Sequence, residues 1–375
     1  MWKLMTDDAI LDTERRELSE FILNSEKLTQ GPVVKEFEDA WSKWQGCEYS
    51  VFVNSGSSAN LLLVRALADR GHNWICQSST WITNVSPVIQ NNLNLLLCDI
   101  SLDNFGPRLD SLEQMFKENR DCVLFLTHFI GFPAISDALL DLCLKYNVTL
   151  VEDCCESHGA TFGEKKIGNF GVASSFSFYY GHHMTTIEGG MICTDDEELY
   201  HQFLLLRSHG MLRELPADKQ DQYVVDGVDP KFTFLRDGYN VRSCEINAKL
   251  GIMQIPRMNQ NIEIRNGNYR EFVSGLDDAK YYCNFDDDGI SSFCLPIITK
   301  TGNISEVKKL LDSEGIEHRP FIGGNLYKHP PFNDRVVDHF ELNSEYINSN
   351  CVYVGNHQDI TLGMVSDLVL QLNKL

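Results

Sequence analysis

Three short polar segments of this sequence carry side chains that could do chemistry, and each follows an apolar run. The first is the segment 54–60, Asn-Ser-Gly-Ser-Ser-Ala-Asn, which opens a helical pattern. Small residues at a helix N-terminus leave backbone N–H groups free to bind a phosphate, and the helix dipole favours its negative charge. The same residues also suit an ordinary N-cap, because serine is a preferred capping residue. On this segment alone both interpretations stay open.

The second segment places carboxylates directly after an apolar run. It covers residues 152–159, Glu-Asp-Cys-Cys-Glu-Ser-His-Gly. A carboxylate at a strand end can hold a pyridinium nitrogen protonated and so make a bound pyridine cofactor an electron sink. A capping or loop acid is the structural alternative for the same residues. Asp153 and Glu156 are therefore candidates for a site, but not on this evidence alone.

The third segment is residues 181–190, Gly-His-His-Met-Thr-Thr-Ile-Glu-Gly-Gly. Its two histidines are adjacent and point in different directions on any regular backbone, so we expect no two-histidine metal site. Upstream, Trp81 offers an aromatic plane that could stack on a flat ring. Core packing is the alternative interpretation of this tryptophan.

The twelve cysteines do not predict a metal or disulfide framework. Most lie in apolar runs, where a buried free thiol packs as a small hydrophobic group. The chain has no Cys-x-x-Cys pair, and Cys154 and Cys155 are adjacent, which is a poor geometry for chelation. We therefore expect structural thiols and no metal site. A metal-dependent hydrolase stays open only as a remote alternative that chelators would test.

Between residues 50 and 195, apolar runs alternate with segments whose apolar spacing suits helices. This alternation predicts a mostly parallel sheet with helices on both faces. The expected strands are YSVFVNS, WICQSS, LNLLLCDI, CVLFLTHF, VTLVED, SSFSFYY and GGMICTDD. In such sheets ligands bind at the carboxyl ends of the strands, where the polar segments above begin.

The remainder of the chain predicts a second, smaller unit. The segment DDEELYHQFLLLRSHG predicts a helix that ends at Gly210, and a long helical pattern from Cys244 is expected to kink near Pro256. Strand, helix and strand patterns follow (SSFCLPIITK, ISEVKKLLDSEG, IEHRPFI), and the chain ends in a helical pattern. We predict a large α/β/α domain over residues 1–245 and a smaller C-terminal α+β domain over residues 246–375.

Composition narrows the possible partners. The formal charge of −21 argues against a nucleic-acid groove, which requires a basic face. No apolar run approaches the roughly 20 residues that span a bilayer, and the acidic N-terminus lacks a signal-peptide pattern. We therefore expect a cytoplasmic protein with neither a nucleic-acid nor a membrane partner. A local arginine or histidine cluster could still bind the diphosphate of a nucleotide-sugar.

The order of these elements resembles the DegT/DnrJ/EryC1/StrS family of sugar aminotransferases. A phosphate loop, an aromatic residue, a strand-end aspartate, a serine and a polar residue before a Glu-Gly-Gly turn follow one another as in that family. The resemblance runs from LTQGPVVKEFEDAWSKW through GYNVRSCEINAKLG to GIEHRPF. It implies the fold-type I (aspartate aminotransferase-like) architecture, a pyridoxal 5'-phosphate cofactor and a homodimer whose active sites lie at the subunit interface.

The resemblance also implies roles for individual residues. Asp153 pairs with the ring nitrogen, Trp81 stacks on the ring, and Glu156 lies near the ring hydroxyl. Gly56, Ser57 and Ser177 hold the phosphate. Asn240 reaches it from the partner subunit. The residues expected to contact the substrate or a glutamate carboxylate are His209, Arg213 and Arg319.

This chain departs from the family at the position of the lysine that binds the cofactor covalently. That position is His182, and no lysine occurs between Lys166 and Lys219, so a small shift in alignment cannot restore one. An imidazole cannot form that bond, so the cofactor, as pyridoxal or pyridoxamine phosphate, must be held non-covalently. An imidazole with an unperturbed pKa of about 6.5 would instead suit a general base.

The same substitution is typical of one branch of the family, the GDP-4-keto-6-deoxy-D-mannose 3-dehydratases. The segments FYYGHHMTTIEGG, TDDEELYH, GYNVR and VGNHQ are similar to that branch. The resemblance implies removal of the C3 hydroxyl of a nucleotide-sugar, with L-glutamate as amino donor. An aminotransferase-fold enzyme acting on another nucleotide-linked keto-sugar and a catalytically silent cofactor-binding homologue are the alternatives. The effect of Gly181, beside the base, is open.

Overall fold

The computed structural model describes residues 1–332 and 342–375. Its larger part is built around a seven-stranded sheet. The strands of this part are β1 (Tyr49–Val53), β2 (Asn73–Gln77), β3 (Asn94–Cys98), β4 (Val123–Thr127), β5 (Thr149–Asp153), β6 (Thr161–Phe162), β7 (Lys165–Lys166), β8 (Ala173–Ser177) and β9 (Gly190–Thr194). The helices up to the second sheet are α1 (Asp12–Asn24), α2 (Pro32–Gln45), α3 (Gly56–Leu67), α4 (Ile82–Gln90), α5 (Leu109–Glu118), α6 (Asp137–Tyr146), α7 (Glu197–Arg207), α8 (Ala217–Gln220), α9 (Glu245–Gln254) and α10 (Met258–Gly275).

The large sheet has the strand order β1-β9-β8-β5-β4-β2-β3, while β6 and β7 form a separate hairpin. Strands β8, β5, β4, β2 and β3 pair in parallel, and only β9 runs against its neighbours. Every strand predicted from the sequence is present in this sheet. The prediction of a mostly parallel α/β/α architecture is therefore confirmed.

Two apolar layers cover the two faces of the sheet. Because successive side chains of a strand point to opposite faces, Ile75 packs in one layer while its neighbour Trp74 packs in the other. The first layer includes Phe37 and Trp41 of α2, and the second includes α3, α4 and α7. Because helices cover both faces of the sheet in the described part of the chain, a ligand can reach it at the strand ends.

A second, three-stranded sheet with the order β10-β12-β11 forms the C-terminal part, and all its pairs are antiparallel. Its elements are β10 (Cys294–Ile298), α11 (Ile304–Ser313), β11 (His318–Pro320), α12 (Asn343–Asn350), β12 (Cys351–Gly355) and α13 (Leu362–Leu372). Met258 packs in the core of the large sheet, whereas Tyr269 and Phe272 pack with the small sheet. The chain therefore passes from one core to the other along α10. The division at residues 245 and 246 stays a prediction.

Two local expectations can be compared with the structure. Helix α7 ends at Arg207 and not at Gly210, because His209 and Gly210 adopt positive φ angles of 61° and 75° that a helix cannot continue. The expected kink near Pro256 is present as a single 3₁₀ turn between α9 and α10. Within residues 1–332 and 342–375, no helix combines the length and apolar character that a membrane span requires.

Candidate active site

A cavity of about 380 Å³ opens at the carboxyl ends of the parallel strands, where the two parts of the chain meet. The predicted site residues that line it are Gly56, Ser57, Trp81, Asp153, Glu156, Ser177, His182 and Arg319. Residues from the C-terminal part, Phe293 and Tyr353 among them, close it from the other side. Eight predicted residues from separate segments of the sequence therefore share one cavity.

Asp153 lies at the end of β5 and is almost fully buried. Its Oδ2 accepts hydrogen bonds from the side-chain amides of Asn60 (2.9 Å) and Asn84 (2.7 Å), and its Oδ1 accepts one from the backbone N–H of Cys155 (2.9 Å). All three partners donate, which is the pattern of an ionised carboxylate. The arrangement fixes a negative charge at the floor of the cavity, where it could hold a cationic ring nitrogen.

The amides that hold Asp153 are themselves fixed by other side chains. Asn60 Oδ1 accepts from the hydroxyl of Ser175 (2.6 Å), and Asn84 Oδ1 accepts from that of Thr80 (3.1 Å). These contacts orient the amide NH₂ groups toward the carboxylate. Sequence reasoning missed both asparagines. The available signal was their position near the starts of helices that follow strands.

Helix α3 begins at the same edge of the sheet and also lines the cavity. Its N-cap residue Ser55 accepts a hydrogen bond from the backbone N–H of Ser58 (3.1 Å), so serine has the capping role that the sequence left open. Gly56 approaches β8 so closely that a Cβ there would lie 2.6 Å from Cβ of Ser177. Only glycine permits this contact. It brings the free N–H groups of α3 next to the Ser177 hydroxyl, as an oxyanion site requires.

His182 lies in the loop between β8 and β9 and lines the cavity. Its ring faces Phe293, with the two ring centroids 5.5 Å apart, and its Nδ1 has no hydrogen-bond partner among the described residues. Burial lowers the pKa of His182 to about 3, and the positive charge of Arg265 adds to this effect. The pKa of His182 in this environment therefore lies well below the ordinary histidine value of about 6.5. The imidazole is therefore neutral at pH 7.

Two further histidines pack behind His182. The ring centroid of His158 lies 6.0 Å from that of His182 and 5.4 Å from that of His183. Burial lowers the pKa of both His158 and His183. The buried Arg265 donates to the carbonyl of Phe293 (3.1 Å) and supplies the positive charge of this region. This neutral cluster supports the loop that carries His182.

Glu156 lines the same cavity and accepts a hydrogen bond from the backbone N–H of Ile130 (3.1 Å). Burial, together with the nearby carboxylate of Asp153, raises the pKa of Glu156 to about 8. At neutral pH this carboxyl is therefore mostly protonated. It can donate a hydrogen bond into the cavity, while the neighbouring carboxylate only accepts.

Of the residues predicted to contact substrate, the structure places one in the cavity. Arg319, on β11, lines it and lies beside the hydroxyl of Tyr353. His209 and Arg213 follow α7 and do not line the cavity of their own chain. Asn240 is exposed and also lies outside it. These three roles stay predictions that a second chain would have to complete.

One group of potential metal ligands, His128, Glu152 and Cys154, lies together in the described residues. The backbone N–H of Ala134 donates to Nδ1 of His128 (2.9 Å), so the hydrogen is on Nε2, which donates to Glu152 (3.0 Å). Burial raises the pKa of the Cys154 thiol well above its usual value. The glutamate also accepts from the backbone N–H of Gly168 (2.7 Å). These internal bonds make the group a structural support of β5.

Comparison with known proteins agrees with this geometry. The model of the DegT/DnrJ/EryC1/StrS aminotransferase family matches residues 9–373. A GDP-4-keto-6-deoxy-D-mannose 3-dehydratase from Escherichia coli is 34% identical over 357 residues, which cover 90% of this chain and 91% of that protein. A crystal structure of GDP-4-keto-6-deoxymannose-3-dehydratase with a trapped PLP-glutamate geminal diamine has a TM-score of 0.92 and 31% identity, with 99% of this chain and 100% of that chain covered. A mutant of an enzyme of that name with bound GDP-perosamine has a TM-score of 0.91 and 31% identity, with 100% of both chains covered.

Proposed function

Because the chain belongs to the DegT/DnrJ/EryC1/StrS family, we propose that it is a pyridoxal-phosphate-dependent sugar 3-dehydratase. The substrate is a nucleotide-linked 4-keto-6-deoxy sugar, and GDP-4-keto-6-deoxy-D-mannose is the first candidate because it is the named substrate of the relatives. L-Glutamate is the amino donor. The observation that carries this proposal is His182 in the cavity, where no described lining residue is a lysine.

The cavity fits pyridoxal phosphate on three independent observations. Asp153 presents a fixed carboxylate for the ring nitrogen, and the N-terminus of α3 with Ser177 forms an oxyanion cradle that a Cβ at Gly56 would fill. Trp81 is 54% exposed at the cavity although it is a large aromatic residue, which suits a side chain that stacks on a flat ring. When bound, the cofactor exchanges an amino group with glutamate and withdraws electrons from the sugar.

The side chains of the cavity supply the other groups that the reaction requires. With the cofactor bound, Asp153 would keep the ring nitrogen cationic, and the protonated Glu156 would donate a hydrogen bond to the ring hydroxyl. His182 would accept a proton from the carbon that joins the cofactor's amino group to its ring, and the electron pair left behind would expel the C3 hydroxyl of the sugar as hydroxide. No lysine ammonium is present among the lining residues to protonate the sugar carbon and complete a transamination. Loss of hydroxide is therefore the favoured course.

Arg319 supports the choice of glutamate as amino donor. It is the only arginine among the described lining residues, and its planar guanidinium matches a carboxylate in a bidentate contact. Glutamate offers such a carboxylate at the end of its side chain. We therefore assign Arg319 to the amino donor.

The proposal includes a homodimer. Large apolar side chains are exposed along the segment that connects α7 to α9: Tyr223, Val224, Val225, Val228, Phe232 and Phe234. A patch of this kind is typical of a protein interface. Asn240 at the end of the same segment is exposed and lies outside the cavity of its own chain. In a dimer we expect Asn240 to reach the phosphate cradle of the partner subunit. The cytoplasmic location stays a prediction.

The test is mass spectrometry of the product after incubation of the protein with pyridoxal phosphate, L-glutamate and GDP-4-keto-6-deoxy-D-mannose. A nucleotide-sugar that has lost one oxygen, with release of ammonia and 2-oxoglutarate, supports the dehydratase. A sugar that carries a new amino group contradicts it and indicates an aminotransferase. If no product forms, the same assay with CDP- and dTDP-linked keto-sugars decides whether the nucleotide or the reaction was wrongly assigned.

A further inference from the structure

Gly181 precedes His182, and its backbone does not require a glycine. Its φ angle is outside the positive range, so any L-residue could adopt the same conformation. A Cβ at this position would, however, lie 2.9 Å from Sδ and 3.3 Å from Cγ of Met5. The glycine therefore makes room for a side chain from the N-terminus.

Met5 belongs to a segment, residues 2–9, that we call the N-terminal strap. One end is tied to the C-terminal part of the chain: the indole Nε1 of Trp2 donates to the carbonyl of Gly355 (2.8 Å), and the backbone N–H of Leu4 donates to Glu317 Oε2 (3.0 Å). Trp2 is itself buried in the core of the small sheet.

The other end of the strap is tied to the helices that follow the large sheet. The carbonyl of Ala9 accepts from Nε2 of Gln254 (2.8 Å) and from Nη2 of Arg257 (2.7 Å). Because both ends are fixed, the strap has one defined path along the cavity. Leu4 and Met5 are the strap residues that line the cavity.

We propose that Met5 is a substrate-positioning residue that forms an apolar wall beside His182 and contacts the 6-deoxy methyl group of the sugar. This inference rests on the proposed function. Leu4 and Ile322 line the cavity and pack against the apolar core of the C-terminal part, and Phe293 faces His182, so the cavity has apolar walls beyond Met5. A methyl group gains from contact with a thioether, whereas a hydroxymethyl group loses a hydrogen bond to water there.

Two stable nucleotide-sugars isolate this contact, since GDP-D-rhamnose and GDP-D-mannose differ only by the hydroxyl on C6. Calorimetric titration of the pyridoxal-phosphate-loaded protein should show about tenfold higher affinity for GDP-rhamnose than for GDP-mannose. The factor is modest because an apolar wall discriminates only moderately against an added hydroxyl. Met5→Ala and Met5→Gln should remove this preference, and Met5→Leu should retain it. Equal affinity of the wild-type protein for the two sugars would overturn the inference.

The contact with Gly181 gives a second test. Gly181→Ala should displace the thioether and reduce the preference as Met5→Ala does. The double variant should be no worse than Met5→Ala alone, because the added methyl group then has room. Gly267→Ala is the matched control, since a Cβ there meets nothing within 4 Å. Additive effects of the two substitutions would contradict direct contact between the residues.

The cofactor spectrum separates this inference from the proposed function. Addition of glutamate should convert the aldehyde-type absorbance to the amine type equally in the wild type, Met5→Ala and Gly181→Ala, because Met5 serves only the sugar. A loss of that conversion in the variants would show a general structural defect and overturn the positioning role. If neither sugar binds the wild-type protein, this inference fails, while the product assay above still decides the proposed function.

Discussion

At the scale of the residue, the site depends on two carboxyl groups and one imidazole in different protonation states. Asp153 accepts three hydrogen bonds as an anion, while burial raises the pKa of Glu156 to about 8 and lowers that of His182 to about 3. A fixed anion, a proton donor and a neutral base are thus available together at pH 7. This division follows from burial and hydrogen bonding and not from residue type.

We expect His182→Asn to lower the rate of sugar dehydration by about 10²-fold or more, because an amide cannot accept the proton. The affinity for GDP-rhamnose should change little, since the replacement is polar and smaller. Steady-state kinetics and calorimetry measure the two quantities. His72→Asn, on the exposed surface, is the control. A variant that retains the wild-type rate would show that another group is the base.

Glu156 should also affect stability in a pH-dependent way. With a folded-state pKa of about 8 and a usual value of 4.5, the folded protein keeps a proton that the unfolded chain releases between these pH values. The free energy of unfolding of the cofactor-free wild type should therefore fall as pH rises through this window, by up to about 1.4 kcal/mol per pH unit relative to Glu156→Gln.

Urea unfolding of the wild type and Glu156→Gln at pH 5 and pH 8 measures this difference. Glu20→Gln, on an exposed part of α1, is the control and should follow the wild type at both pH values. The same pH dependence in the wild type and Glu156→Gln would mean that the carboxyl group is ionised in the folded protein.

At the scale of the element, the site is made by strand ends and helix starts that lie side by side. Strands β5 and β8 run in parallel, so Asp153 and Ser177 lie at the same edge of the sheet. Helix α3 begins at this edge and contributes its free N–H groups. The spacing between these elements determines where a phosphate can bind.

Gly56→Ala should disturb that spacing. The new Cβ would lie 2.6 Å from Cβ of Ser177, and this crowding should cost about 1–3 kcal/mol of stability because the start of α3 must move. We expect the dissociation constant for pyridoxal phosphate to rise about tenfold or more. Titration followed by absorbance measures it. Gly363→Ala is the control and should bind pyridoxal phosphate normally, because a Cβ there would meet nothing closer than 3.9 Å. If Gly56→Ala binds pyridoxal phosphate as tightly as the wild type, the proposed phosphate cradle is disproved.

At the scale of the whole molecule, one chain does not bring every predicted residue to the cavity. His209, Arg213 and Asn240 lie outside it. The segment between α7 and α9 instead presents Phe232 and Phe234, which are 61% and 58% exposed. We interpret this apolar segment as the surface that joins two copies of the chain.

The double variant Phe232→Asp, Phe234→Asp should therefore be a monomer, because two charges would have to be desolvated at the interface. Light scattering during gel filtration should show the mass of two chains for the wild type and of one chain for the variant, with weaker cofactor binding in the variant. Leu144→Asp is the control, since Leu144 is an exposed apolar residue on α6. A monomeric wild type would contradict the dimer.

The sequence by itself determined the strand and helix pattern, the order of the phosphate loop, Asp153 and His182, and the family. These features are local: apolar periodicity and short motifs specify an element and the residues at its end. Only the tertiary structure decided which elements meet. The amides of Asn60 and Asn84 converge on Asp153, Met5 packs against Gly181, and burial sets the protonation state of His182. Each of these depends on contacts between residues distant in the chain, and no local pattern encodes the distance or the solvent exposure that fixes them.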